Sequence, residues 1–191
     1  MRIEAVCVGQ ARPLLVGGRK VLSAIGKSPV TGPVNVHVLG LQGDEQADLN
    51  VHGGLGKAVY VYPIEHLPMW QAARQTHDLL AEQTPIPPGF LGENLLISGL
   101  LEHEVWVGDT LLLPGCTLRV TAPREPCYKF NAVMGFSQAA RMMVDHSACG
   151  FYCAVEMPGS LSTGDEFKLM SGQRSLSIAD AFAAKRVKHL R

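Results

Sequence analysis

Breaks in the backbone constrain this chain more than any other feature of it. Twenty glycines and twelve prolines are scattered along 191 residues. Few stretches are long enough for an extended helix, and short strands joined by tight turns are what such punctuation allows. Between the breaks lie runs that are β-branched or alternate apolar with polar residues. They span residues 3–8, 34–39, 58–62, 94–97, 104–107, 110–113, 117–121, 151–155 and 166–170. Gly17-Gly18, Gly108-Asp109, Pro114-Gly115-Cys116 and Gly164-Asp165 read as turns between antiparallel strands.

Helical patterns are fewer. In residues 64–76, Ile64, Leu67, Trp70 and Ala73 recur at three-residue steps, and Pro68 sets the true start at Leu67 with the proline in the first turn. A second helix is expected over 137–144. A third opens at Ser177, where Ser177 and Asp180 have capping-box spacing. Strands outnumber helices and do not alternate with them. The expectation is a mainly β fold: a twisted, partly closed antiparallel β-barrel with a few packed helices. Residues 84–89, with three prolines, read as a rigid exposed loop rather than a linker, so one domain is expected.

Charge excludes several functions. Seventeen basic residues balance seventeen acidic ones, so the basic footprint of a nucleic-acid binder is missing. No apolar run approaches the ~20 residues of a membrane span, and the first residues lack a signal peptide's apolar stretch. Five cysteines, an odd number without regular spacing, give no disulfide framework. The chain reads as cytoplasmic, off the membrane, with reduced thiols.

Four polar clusters stand out. Residues 123–130 set Cys127 on a proline-stiffened turn between Arg124 and Lys129, cations that favour the reactive thiolate; a cysteine serving as a small core hydrophobe is the alternative. Residues 43–57 hold Asp44, then His52, Gly53, Gly54 and Lys57, where adjacent glycines could form an anion-binding nest, or a plain hairpin turn. Gly92, Glu93 and Asn94 offer an acid and an amide at a sheet rim, or a locally bonded turn. His146, Cys149 and Cys153 match no strong zinc spacing, and Cys153 is expected as a buried thiol in a strand. There is no Gly-x-Ser-x-Gly elbow, Walker loop or His-Glu-x-x-His. Flavin, haem and iron–sulfur motifs are also missing, and pyridoxal phosphate is not expected.

In order along residues 3–171, these clusters resemble the MOSC domain, named for the C-terminal part of molybdenum cofactor sulfurases. The carriers are Leu41-Gln42-Gly43-Asp44, Val51-His52-Gly53-Gly54, Tyr62-Pro63 with Glu65-His66 and Trp70, Gly92-Glu93-Asn94-Leu95, Gly108-Asp109, and Pro123-Arg124 with Pro126-Cys127-Tyr128-Lys129. Among members, the stand-alone YiiM type is the most similar. That resemblance implies a β-barrel over residues 1–174, with 175–191 a C-terminal helix remaining from a longer helical extension. It implies a molybdenum cofactor (molybdopterin) with Cys127 as the protein's metal ligand. His52, Gly53, Gly54, Lys57, Asn94, Arg124 and Lys129 would bind the cofactor, and Glu93 or Asp44 would serve catalysis beside Cys127, with His52 a further proton-relay candidate. The implied activity is a detoxifying reduction of small N-hydroxylated compounds, purine-base analogues included. Electrons would come from a separate donor protein, and a homodimer is compatible with the resemblance. The alternative is a cofactor carrier or sulfur-transfer module with a Cys127 persulfide.

Overall fold

A computed structural model describes residues 1–47, 53–79 and 84–189, with side chains described as far as Lys185. Its strands are β1 (Arg2–Val8), β2 (Arg12–Val16), β3 (Arg19–Ser23), β4 (Ser28–Pro29), β5 (Val34–His37), β6 (Gly40–Leu41), β7 (Val59–Pro63), β8 (Leu95–Ser98), β9 (Thr110–Leu112), β10 (Thr117–Pro123), β11 (Phe151–Met157), β12 (Gly159–Leu161) and β13 (Lys168–Met170). Its α-helices are α1 (Leu67–Thr76), α2 (Tyr128–Met134), α3 (Ala139–His146) and α4 (Ile178–His189). The fold is mainly β with a few helices, as the turn-rich sequence dictates.

Eight strands form the main sheet in the order β13-β9-β10-β11-β7-β8-β1-β4. A three-stranded sheet, β12-β5-β6, and the separate β2–β3 hairpin complete the strands. The main sheet curls until the chain before β13 reaches β1, where Ile3 N–H donates to Asp165 O at 2.9 Å and Arg2 bridges Glu166. Gly164 N–H to Ile3 O at 2.8 Å and Phe167 N–H to Met1 O at 3.2 Å add to that contact, but β13 and β1 do not pair as strands, so the sheet is left open where a barrel was expected. One pairing also departs from the antiparallel expectation: β7 and β8 run parallel, with Val61 opposite Leu95. Parallel neighbours need a long crossover, and α1 with its flanking loops supplies it.

Burial follows position in the sheet. β7 lies between β11 and β8 and is buried throughout, whereas β5 in the small sheet alternates buried and exposed. Ile3, Val6, Val61, Ile97, Leu118, Val120 and Phe151 are the centre of the core. The helix starts are where the caps put them. Pro68 lies in the first turn of α1, and Ser177 Oγ accepts the Asp180 N–H at 3.0 Å while donating to its carboxylate at 2.6 Å. α4 is no loose appendage: Ile178 and Phe182 are buried, each burial being worth about 2 kcal/mol.

Two readings are corrected. Residues 104–107 are not a strand; Leu101 N–H bonds Glu104 Oε2 at 2.9 Å in a turn, and Trp106 makes only an isolated bridge to Ser177. Residues after Cys127 do not continue a stiff turn but form α2, ended by Gly135 at φ 84°. Phe130 and Met134, four apart and buried, followed by that glycine, were the sequence signal for it.

Candidate functional site

Asn94 organises the centre of the molecule. It precedes β8 and is buried, and its side chain makes three bonds to three segments: Oδ1 accepts the Tyr60 N–H at 3.0 Å, while Nδ2 donates to Cys7 O at 3.2 Å and to Asp44 Oδ2 at 2.8 Å. This ties β1, β7 and the 43–47 loop to one point. Asp44 also accepts the Gly9 N–H at 2.8 Å and pairs with Lys27, a cation absent from the sequence-based site. Gly92 sits at φ 92°, and a Cβ there would come within 2.9 Å of the Ile25 side chain, so glycine lets the 23–27 segment close over the site.

These contacts leave one cleft of about 660 Å³, partly open to solvent. Asp44, Lys57, Asn94, Arg124, Cys127 and Lys129 all line it, so six of the expected site residues meet in one place. Sequence reasoning missed Lys27, Tyr60, Tyr152 and the 23–25 segment, which complete the wall. Tyr60 and Tyr152 had a signal, since both are aromatic residues in predicted strands, but nothing in the sequence says which face of a strand looks at a ligand. Gly53 and Gly54 flank the cleft rather than line it. Gly54 N–H donates to Gln46 Oε1, on the cleft wall, at 2.9 Å. His52 lies outside the described residues.

Charge in the cleft is one-sided. Among the described residues that line it, the four basic side chains Lys27, Lys57, Arg124 and Lys129 stand against two carboxylates, Asp44 and Glu45. Arg124 is 5% exposed, and among the described residues no carboxylate lies within ion-pair reach of it. Its guanidinium is instead held over the Tyr60 ring at 5.2 Å and the Phe130 ring at 4.7 Å, with Nη1 3.7 Å from Met143 Sδ. Burial holds the Tyr60 and Tyr152 phenols above their ordinary range, the Arg124 charge opposing the rise, so both stay neutral. Lys57 lies 5.7 Å over the Tyr152 ring, and Lys129 Nζ donates to Leu22 O at 2.8 Å, closing the rim.

The five thiols divide sharply. Cys7, Cys116, Cys149 and Cys153 are buried, and burial pushes all four thiols up, Cys7 to about 12 and Cys116 to about 11. Cys153 is the buried strand thiol the sequence suggested. Cys127 alone is half-buried and opens on the cleft. It occupies the N-cap of α2 in an extended conformation (φ −117°, ψ 169°), which turns the chain from the cleft wall into the helix. No disulfide joins any of the five.

Glu93 is placed under the cleft, not on it. It is 1% exposed, and its two carboxylate oxygens accept the Gly89 and Leu91 N–H groups, the latter at 3.1 Å. Burial raises its pKa from 4.5 to about 7 despite those bonds. An acid with a raised folded pKa binds its proton more tightly when folded. Its contribution is therefore complete below the unfolded value and lost as pH rises through about 7. The shift converts to about 3 kcal/mol. Urea denaturation from pH 4 to pH 8 should show that loss in the wild type and not in Glu93→Gln; parallel pH curves would show that Glu93 does not titrate in this range.

The MOSC domain family model matches residues 48–168. YiiM of Escherichia coli is 37% identical over 163 residues, 84% of this chain and 70% of that protein. A protein of Gibberella moniliformis named as a reductase is 31% identical over 170 residues, 86% of this chain but 28% of that protein. The crystal structure of YiiM from Geobacillus stearothermophilus superposes with a TM-score of 0.75 at 26% identity, over 98% of this chain and 83% of that one. Cleft, cysteine and cationic wall thus lie in a chain whose relatives align along most of its length: it belongs to the MOSC domain family.

Proposed function

We propose that the cleft binds a molybdenum–pterin cofactor through Cys127 and that the chain reduces N-hydroxylated compounds, N-hydroxylated purine-base analogues among them. The observation that carries this is Arg124, a buried cation without a carboxylate among the described residues, placed on the wall that also presents the one half-buried thiol. A buried charge held outside a direct ion pair is costly, and an anionic ligand in the cleft would relieve part of that cost. A thiolate is a soft donor suited to a sulfur-rich centre. Among the described residues no three His, Cys, Asp or Glu side chains converge, so Cys127 would hold the metal together with the cofactor rather than within a cage of protein ligands.

When bound, the cofactor supplies two-electron exchange with the oxygen of an N–O bond. The residues do the rest. Arg124, Lys57 and Lys129 would neutralise the cofactor's negative charge. Tyr60 and Tyr152 give Arg124 and Lys57 apolar faces to rest on and keep water from the guanidinium. Asp44, held on the cleft wall by Lys27, would relay protons from solvent to the departing oxygen. Glu93 holds the 89–93 loop on which Asn94 depends, acting through the backbone rather than on substrate. The printed name of the fungal relative, a reductase, supports the reaction class.

Metal analysis tests the reading. Protein from a host that makes the cofactor is expected to carry about one molybdenum per chain, against none from a host that cannot, and to reduce an N-hydroxylated purine with reduced methyl viologen as donor. Labile sulfur on Cys127 without retained metal would replace this reading with the carrier one.

A further inference from the structure

A second concavity lies just beyond Cys127. Tyr128, the next residue, is 60% exposed and forms one wall of a shallow groove of about 650 Å³. The β2–β3 hairpin forms the other through Leu15, Val16 and Gly17. This hairpin is a two-stranded sheet of its own, turned by Gly17 and Gly18 at φ 55° and 80°. Its register puts Pro13, Leu15, Lys20 and Leu22 on one face, and all four are exposed, Leu15 at 64% and Leu22 at 56%.

Charge identifies what fits there. No Asp or Glu occurs between Glu4 and Asp44, or between Glu125 and Asp145, so both walls come from acid-free segments of a chain with no net charge. Arg12 and Arg19, on the hairpin face that carries Val16, and Lys20, on the face that carries Leu15, are exposed, and among the described residues none forms an ion pair. A second copy of this chain meeting the groove about a twofold axis would set these cations against one another. A flat bilayer does not fill a concavity. A protein with a carboxylate-rich, protruding surface matches both the shape and the sign.

We infer that this groove and the cationic hairpin beside it dock an acidic electron-carrier protein, the donor for the reduction. The inference rests on the reductase reading above and adds the partner that reading requires. A carrier seated here reaches Tyr128, one peptide bond from the proposed metal ligand, and leaves the cleft free for substrate. Two one-electron carriers dock in turn for each turnover, R–NHOH + 2e⁻ + 2H⁺ → R–NH₂ + H₂O. The N–O bond breaks, the oxygen leaves as water with both protons accounted for, and each carrier departs oxidised by one electron.

Hydrogen exchange with two acidic probes, a plant-type ferredoxin and a flavodoxin, tests the site. Either carrier is expected to slow exchange in residues 12–22 and 128–137. The triple variant Arg12→Glu/Arg19→Glu/Lys20→Glu should weaken carrier binding at least about tenfold at low salt, and wild-type binding should weaken comparably as salt screens the pair. Viologen-driven turnover of the variant, which needs no docking, should stay within about twofold, the usual reach of a surface substitution remote from the site. Failure of both carriers to bind, protection on another face, or equal binding by the variant would overturn the inference. So would protection of these residues by a second copy as chain concentration rises, or binding to phosphatidylglycerol vesicles that the same variant loses. Absent viologen-driven turnover in the wild type overturns the reductase reading, and with it the carrier's role, whatever the footprint.

Discussion

Cys127→Ala protein from a cofactor-competent host is expected to retain less than about a hundredth of the wild-type molybdenum and to lose reductase turnover by about a thousandfold, because no other donor replaces the sulfur. The four remaining thiols cannot substitute: each is buried, and burial holds each in its neutral form. Folding should survive the change. Cys127 is the N-cap of α2 but makes no side-chain capping bond, so its loss removes no hydrogen bond from the helix start. Cys127→Ser separates ligation from packing, since it keeps a similar volume and can cap the helix but offers a hard oxygen. Serine should therefore fold at least as well as the wild type and still fail to hold metal. Calorimetry on all three proteins, with metal analysis beside it, reads both effects, and metal retained by the alanine variant would remove Cys127 from the site.

Much of this arrangement is legible in sequence because it is local. Pro68, Ser177 with Asp180, and the Gly17-Gly18 turn each act within a few residues, and each marks an element edge in the structure. The Cys127 segment is legible for the same reason, with Arg124, Cys127 and Lys129 lying within six residues and facing one cleft. What sequence hides is set by long-range pairing. Lys27 becomes part of the site only because Asn94 draws the 43–47 loop onto β1 and β7, contacts that span up to 87 residues of chain. Glu93 reads as an acid available for catalysis beside Asn94. The turn that leads into β8 sends the two side chains to different partners, however, and the carboxylate goes to the 89–91 backbone. The parallel β7–β8 pair is hidden likewise, since both strands have the composition of antiparallel ones and only the α1 crossover distinguishes them.

Arg124→Met separates function from stability in opposite directions. Protein made without cofactor should be at least as stable as the wild type, by roughly 1–2 kcal/mol, because an apolar chain of similar length replaces a buried cation that forms no ion pair among the described residues. The opposing loss is the ring contacts to Tyr60 and Phe130, each worth about 1 kcal/mol. Desolvation of the charge costs several kcal/mol, so its relief outweighs the contacts forfeited. Cofactor retention should fall by about a hundredfold in the same variant, as expected when one member of a desolvated charge pair is truncated. Arg124→Lys keeps the charge but not the flat guanidinium that rests on two rings, and should fall between the two. Melting temperatures of the cofactor-free proteins and molybdenum content of the loaded ones make the measurement. A destabilised methionine variant that still fills with metal would show that Arg124 braces the fold and takes no part in holding the anion.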